Sequence, residues 1–383
     1  MDSKICKVAR EWASVSQPAE LDLLRTLAQI PSPSHHEERR AAFVADWLRR
    51  AGADDVEIDE LNNVICHIND DGRRPLLVFA AHIDVAFDDT DFLPLTEDEN
   101  GRIHCPGIGD DTANLCNLLF ATRYVIEHEV DFGEVGVLVV ANSCEEGLGN
   151  LDGTKHLFAT YGERIRAFRS FDGYVGQCTN DAVGSHRFQI SCETPGGHSF
   201  VDFGSRNAVK ELCDLIEDLY AIEPPAEPKT TYNVGAIEGG TTVNSIPAHA
   251  QMLFEFRSSS NSSLLGLREK LDALVAVHQS EEVRFEVEVL GVRPGNGDVD
   301  EGKLAELTAM NDEAIREMLG VEPDHSPFST DSNVPLSLGI PANTIGTIHG
   351  ENPHTYDEWL DSASLEAGLA LVTALMLSCA AGA

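Results

Sequence analysis

Hydrophobic positions along the chain form two kinds of run. The first kind is continuous. Residues 76–81 (LLVFAA) and 135–140 (VGVLVV) hold no charged side chain, which predicts strands buried on both faces, as in a largely parallel sheet. Around them lie stretches with helical spacing: 21–30, 37–51 with Gly52 as a stop, 111–127 with an acidic first turn that suits the helix dipole, and 153–161. A weaker strand signal covers 165–171. Strands alternating with helices predict an α/β layered domain.

The second kind of run alternates. Residues 183–193, 232–237, 249–257 and 283–292 switch between apolar and polar positions, with helical spacing at 205–220 and 263–278. Two strand–helix–strand units of this kind predict a small α+β domain with an antiparallel sheet. A helix at 303–319 and a strand at 342–345 then return to the first style. The smaller domain is therefore inserted. Residues 183–295 form it, and 1–182 with 296–383 form one discontinuous layered domain, with junctions near Ala182 and in the Gly/Pro loop RPGNGD.

Composition narrows the partners. The chain has 64 acidic against 27 basic residues, a formal charge of −37. Nucleic acid and anionic membrane both need a basic surface, so neither is expected as a partner. The N-terminal stretch lacks the apolar core of a secretory signal. The run 365–379 is apolar but contains Glu366 and is too short to span a bilayer, so a buried terminal helix is expected. Nine scattered cysteines without a C-x-x-C pair point to reduced thiols and a cytoplasmic protein. Cys144 is expected to be a packed residue at a strand end, and His35 and His36 of PSPSHHEE to be surface residues in a turn.

Chemistry enters at the ends of the apolar runs. His82 and Asp84 follow 76–81, and i and i+2 share a face in an extended segment. A histidine with a carboxylate on its own side suits a metal ligand with its orienting partner. Asp110 and Asp111 precede the next helix, Glu145 and Glu146 follow 135–140, and Asp172 follows 165–171. His349 and His354 both follow 342–345. In open α/β sheets, sites form at the carboxyl ends of strands. Carboxylates and imidazoles without thiolate suit zinc, manganese or cobalt. Two metals about 3.5–4 Å apart need a bridging carboxylate and further ligands on each ion. His82, Asp110, Glu146, Asp172 and His354 fill that need, which leaves Glu145 for moving a proton.

The motifs AAHIDV, GIGDDTANL, SCEEGLGN, FDGYVG, GGHSF, GGTTVNSIP, FEFRS, STDSNVPLSLGIP and HTYDEWLD, spread over nearly the whole chain, resemble the cocatalytic zinc peptidases and deacylases. That family includes peptidase T, glutamate carboxypeptidase, carnosine dipeptidase, aminoacylase and succinyl-diaminopimelate desuccinylase. The resemblance implies two zinc ions, with His82 and Asp172 on one, Glu146 and His354 on the other, and Asp110 bridging. It implies Asp84 as the holder of His82, Glu145 as general acid/base, and His354 rather than His349 as the ligand. In the inserted lid it implies His198 as an oxyanion donor, often across a dimer, with Asn244 and a buried Arg257 binding the substrate's carboxylate or backbone. The expected substrate is a small peptide, or alternatively an N-acyl amino acid. Peptidase members tend to carry Asp where this chain has Asp172, and deacylases tend to carry Glu. One departure stands out: Asp110-Asp111 is followed by Thr112-Ala113, where the family often has Lys-Gly.

Overall fold

The two continuous apolar runs become adjacent parallel strands, Leu76–His82 and Gly136–Asn142, in the computed structural model, which describes residues 1–381. Ile165–Phe171 pairs in parallel with the other edge of Leu76–His82, and Ala342–Ile345 lies parallel beside it. Antiparallel strands complete the edges: Val64–Ile68 and Val56–Ile58 on one side, Cys178–Thr179 on the other. Together they make a seven-stranded sheet. Successive side chains leave a strand on opposite faces, and here both faces are covered. Val78, Ala80, Leu138 and Val140 join one apolar cluster. Phe79, Ala81, Val137 and Val139 join the other. Two-sided burial is why these runs carry no polar residue. The C-terminal helix Ser364–Ala381 feeds Leu365, Leu369, Leu375 and Met376 into the larger cluster.

Two expectations change. The first helix spans Ser3–Ala28 rather than starting near residue 21, and its early buried face is Cys6, Ala9, Ala13 and Ser16. Such small residues give a weak periodic signal, and Pro18 inside the helix weakens it further. The helix expected from Asp111 begins at Asn114. Before it, Ile108–Ala113 form an irregular turn in which Asp110 and Asp111 have non-helical backbone angles. Asp111 therefore does not cap a dipole; its side chain serves the site, as described below.

The chain divides at Ala182/Val183 and Gly297/Asp298 into two compact units. The inserted unit is a four-stranded antiparallel sheet, ordered Thr230–Gly239, His249–Ser258, Gly184–Glu193, Arg284–Arg293. Helices Ala208–Tyr220 and Asn261–His278 bury its inner face through Leu212, Leu271, Ile190 and Phe254. An α/β sheet domain with an inserted α+β unit is the fold class that the two hydrophobic patterns predict. Among the described residues, no helix is long and apolar enough to cross a membrane.

Candidate metal centre and active site

The polar residues that follow the strands converge. His82 closes Leu76–His82, Asp172 directly follows Ile165–Phe171, and Glu145 and Glu146 lie beyond Gly136–Asn142. Asp110 comes from the irregular turn, and His354 from the loop after Ala342–Ile345. Asp110 stands between the two histidines: its Oδ1 is 3.0 Å from His82 Nε2, and its Oδ2 is 3.0 Å from His354 Nε2. Glu146 Oε1 is 3.2 Å from His354 Nε2. Ligand atoms of His82, Asp110 and Asp172 lie within 4.8 Å of one another, and so do those of Asp110, Glu146 and His354. The two groups share only Asp110, one oxygen toward each. His349 belongs to neither; it is exposed, and its backbone N–H donates to Ser364.

This donor set fits two divalent cations. Five carboxylate and imidazole ligands in two triads sharing a carboxylate match a dinuclear centre. Glu146 Oε1 is buried and shares His354 Nε2, at 3.2 Å, with Asp110. Crowded acids also lack enough positive charge. Burial first, then Asp110, raises the Asp172 carboxyl to about 7. Burial and then Asp110 also raise Glu146. Burial would raise Asp110 too, but hydrogen bonds from His354 and His82 outweigh it and hold that carboxyl below its ordinary range. Hydrogen bonds to Asp110 and then Glu146 push His354 up to about 11. A cluster whose acids and imidazoles retain or gain protons is one in which cations replace those protons on binding.

Asp84 does more than the sequence suggests. His82 Nδ1 lies closer to the Asp84 carbonyl (3.0 Å) than to its carboxylate (3.3 Å). The carboxylate chiefly holds the Glu145–Glu146 turn. Its Oδ1 accepts from Glu145 N–H at 3.0 Å, and its Oδ2 accepts from Glu146 N–H at 2.9 Å and from Ser34 Oγ at 2.7 Å. The turn is framed by Cys144 and Gly147, both at positive φ. Two neighbouring glutamates thus leave the strand regime, where they would face opposite ways. Glu145 is buried, and its carboxylate shares a group with His82 and Glu146 in which ligand atoms lie within 4.8 Å. Cys144 is packed as expected, its Sγ 3.3 Å from Glu37 Oε1.

Other supporting residues carry no sequence signal of this role. Asp111 Oδ2 accepts from His82 N–H at 2.9 Å. Glu358, buried within HTYDEWLD, accepts N–H groups from Gly107 (2.6 Å), Gly109 (2.8 Å) and Asp110 (2.9 Å). It thereby fixes the turn that presents Asp110. Gly107 is needed there: it has φ 71°, and a Cβ would lie 2.4 Å from Val85 Cγ1. Glu37 Oε1 accepts from Cys144 N–H at 3.1 Å. A buried acid that ties backbone amides has no periodicity and no neighbouring partner in sequence, so these roles are visible only in three dimensions.

In the inserted unit, a two-residue bridge sets His198 against Ser245, beside Asn244. His198 is exposed, and its Nδ1 accepts N–H groups from Phe200 (3.2 Å) and Val201 (3.3 Å). Nδ1 being an acceptor, the ring proton is on Nε2. Asn244 is exposed, and its Oδ1 accepts from Thr242 Oγ1 at 3.0 Å. Arg257 corrects an expectation. Its side chain is 38% exposed rather than buried, and it forms a fork with Glu255 at 3.0 and 3.1 Å. Positions 255 and 257 share one face of the strand His249–Ser258, so the pairing follows from i, i+2 spacing.

Known proteins resemble this chain in sequence and fold. The model of Peptidase family M20/M25/M40 matches residues 78–378. A succinyl-diaminopimelate desuccinylase of Corynebacterium glutamicum is 27% identical over 352 residues, covering 88% of this chain and 90% of that protein. A tripeptidase structure from Staphylococcus aureus subsp. aureus Mu50 is 19% identical, covers 95% of this chain and 99% of its own, and superposes with a TM-score of 0.77. The aminopeptidase PepT of Bacillus cereus is 22% identical over 95% of this chain and 99% of its own, with a TM-score of 0.73. At these identities the two structures speak to the fold alone.

Proposed function

This chain belongs to Peptidase family M20/M25/M40 and has the dinuclear site of a metal-dependent amide hydrolase, and on that premise we propose that it is an exopeptidase for small peptides. The carrying observation is Asp110 shared between two ligand triads, with Glu145 buried beside them. His82 and Asp172 would hold one ion, Glu146 and His354 the other, with Asp110 bridging. Two divalent ions, Zn2+ before Co2+ or Mn2+, would supply Lewis acidity toward the scissile carbonyl and lower the pKa of water.

The chain's own residues do the rest. Glu145 takes the proton of the attacking water and passes it to the leaving amine. Asp84 keeps Glu145 and Glu146 in place through their amides. His198 donates from Nε2 to the developing oxyanion, a role supported by the two amides that occupy its Nδ1. Asn244 and Arg257 recognise the peptide's backbone or carboxylate, and Arg257 exchanges Glu255 for substrate to do so. A homodimer through the inserted unit is part of this proposal, supported by the exposed Phe200, Val201 and Phe203 beside His198.

The peptidase reading rests on Asp172. A second reading, hydrolysis of N-acyl amino acids by the same site, is favoured by the identity to a desuccinylase. A matched panel separates them: free di- and tripeptides, the same peptides N-acetylated or C-amidated, and simple N-acyl amino acids, all given to zinc- or cobalt-loaded protein. Cleavage that requires a free amine is expected. Cleavage of N-acyl amino acids that requires only a free carboxylate selects the second reading.

A further inference from the structure

A second cluster of ligating side chains shares no residue with the centre above. Cys178 is on the edge strand Cys178–Thr179, Asp312 on the helix Glu301–Leu319, and His325 in the loop that follows that helix. Their ligand atoms lie within 4.8 Å of one another. Hydrogen bonds hold the loop against the strand. Cys178 N–H donates to Asp324 O at 2.9 Å, Asp324 N–H to Gly176 O at 2.6 Å, and Thr179 Oγ1 to Ser326 O at 3.2 Å.

The hydrogen bonds leave this cluster short of a cation. His325 Nδ1 is 2.7 Å from the Cys178 carbonyl oxygen, which can only accept, so Nδ1 carries the proton. In the neutral ring Nε2 then presents a lone pair, and it faces Asp312 Oδ2 at 3.2 Å. Two acceptors at that distance need a positive centre between them. The other oxygen, Asp312 Oδ1, is buried and lacks a nitrogen or oxygen donor, and the Cys178 thiol is the neighbour directed at this carboxylate. Arg316 Nη2 is 3.8 Å from Oδ2, beyond hydrogen-bond reach, while its Nε donates to Glu322 at 2.8 Å. A proton on Nε2 would serve Oδ2 alone; a metal ion serves the imidazole, the carboxylate and the Cys178 sulfur together.

We propose that Cys178, Asp312 and His325 form a third metal site, which takes a thiolate-binding divalent cation of the zinc class. One soft and two borderline-to-hard donors suit zinc, with solvent as the fourth ligand at the half-exposed His325 edge. Tetrahedral zinc sets its ligands about 3.3–3.8 Å apart, and the three ligand atoms already lie within 4.8 Å of one another. Burial, and then Asp312, raise the Cys178 thiol well above its ordinary range; the ion displaces that proton as it binds. The bound ion clamps the loop onto both the edge strand and the helix.

Cobalt gives a specific test, because the strand-end centre offers only carboxylates and imidazoles. Full-length protein is stripped with chelator, reloaded with Co2+, and its metal content and near-ultraviolet absorption are measured. Three equivalents per chain and a thiolate-to-cobalt charge-transfer band are expected. Cys178→Ser removes the band and one equivalent while two equivalents and hydrolysis persist. His325→Ala, at an exposed side chain, does the same and guards against misfolding of the cysteine variant. Two equivalents without the band, or a band that survives Cys178→Ser, overturns the proposal.

Discussion

The strand-end centre and the His198 turn are built in opposite ways. At the strand ends, His82 closes a strand buried on both faces, Asp172 directly follows another strand of the same sheet, and Asp110 is presented by a turn that Glu358 ties down. The turn that carries Glu145 and Glu146 is held by a fully buried carboxylate, Asp84. In the inserted unit, His198 and Asn244 are exposed on short turns, and Arg257 is already paired with Glu255. The first arrangement is tied by buried hydrogen bonds from Asp84 and Glu358. The second displays donors without burying them. The lesson is that the proposed ligands are placed by packing, whereas the proposed substrate-side groups sit where the fold can spare them. Charge and proton chemistry need preorganisation in a dry environment; recognition of varied small substrates does not.

Mutations sharpen this contrast. Asp84→Asn has the largest expected effect. An amide there sets a donor against the N–H groups of Glu145 or Glu146. Activity should fall at least about 100-fold and metal affinity about 10–100-fold, with about 2–3 kcal/mol less stability for the metal-free protein, read by denaturant titration. The pH dependence has a definite sign. Burial would raise the Asp84 carboxyl, but the hydrogen bond from His82 and further donors hold it below its ordinary range. Its contribution is therefore full above about pH 4 and is lost as pH falls through the lower native value. The Asn variant should lose that acid-side slope. His198→Ala should cost less overall: about 100-fold in kcat if the oxyanion role holds, with stability within about 0.5 kcal/mol of the parent because the side chain is exposed. A large stability loss at His198, or none at Asp84, would break the contrast between the two regions.

Much of this was legible in the sequence, for physical reasons. Uninterrupted apolar runs announce strands buried on two faces, and the polar residues after them must lie at the sheet's carboxyl edge. That logic reaches His82, Glu145, Glu146 and Asp172 without a fold in hand. It does not reach Glu358 or Glu37, whose carboxylates tie backbone amides distant in sequence. It misplaces Asp111, because a helix-dipole reading competes with a hydrogen bond to His82 N–H that no spacing reveals. The first helix was half hidden because alanines bury its early turns. The Glu255–Arg257 fork follows from i, i+2 spacing on one strand face, which competes with the substrate-binding role that the resemblance implies for Arg257.

In the proposed mechanism adjacent glutamates divide the labour, Glu146 holding metal and Glu145 moving the proton. Glu145→Gln tests it most directly, with metal content and single-substrate kinetics measured on the same preparation. Two ions are expected at the strand-end centre, as in the parent, with kcat lower by about 10²–10⁴-fold. Full activity with both ions bound, or loss of activity only in step with loss of metal, would contradict it.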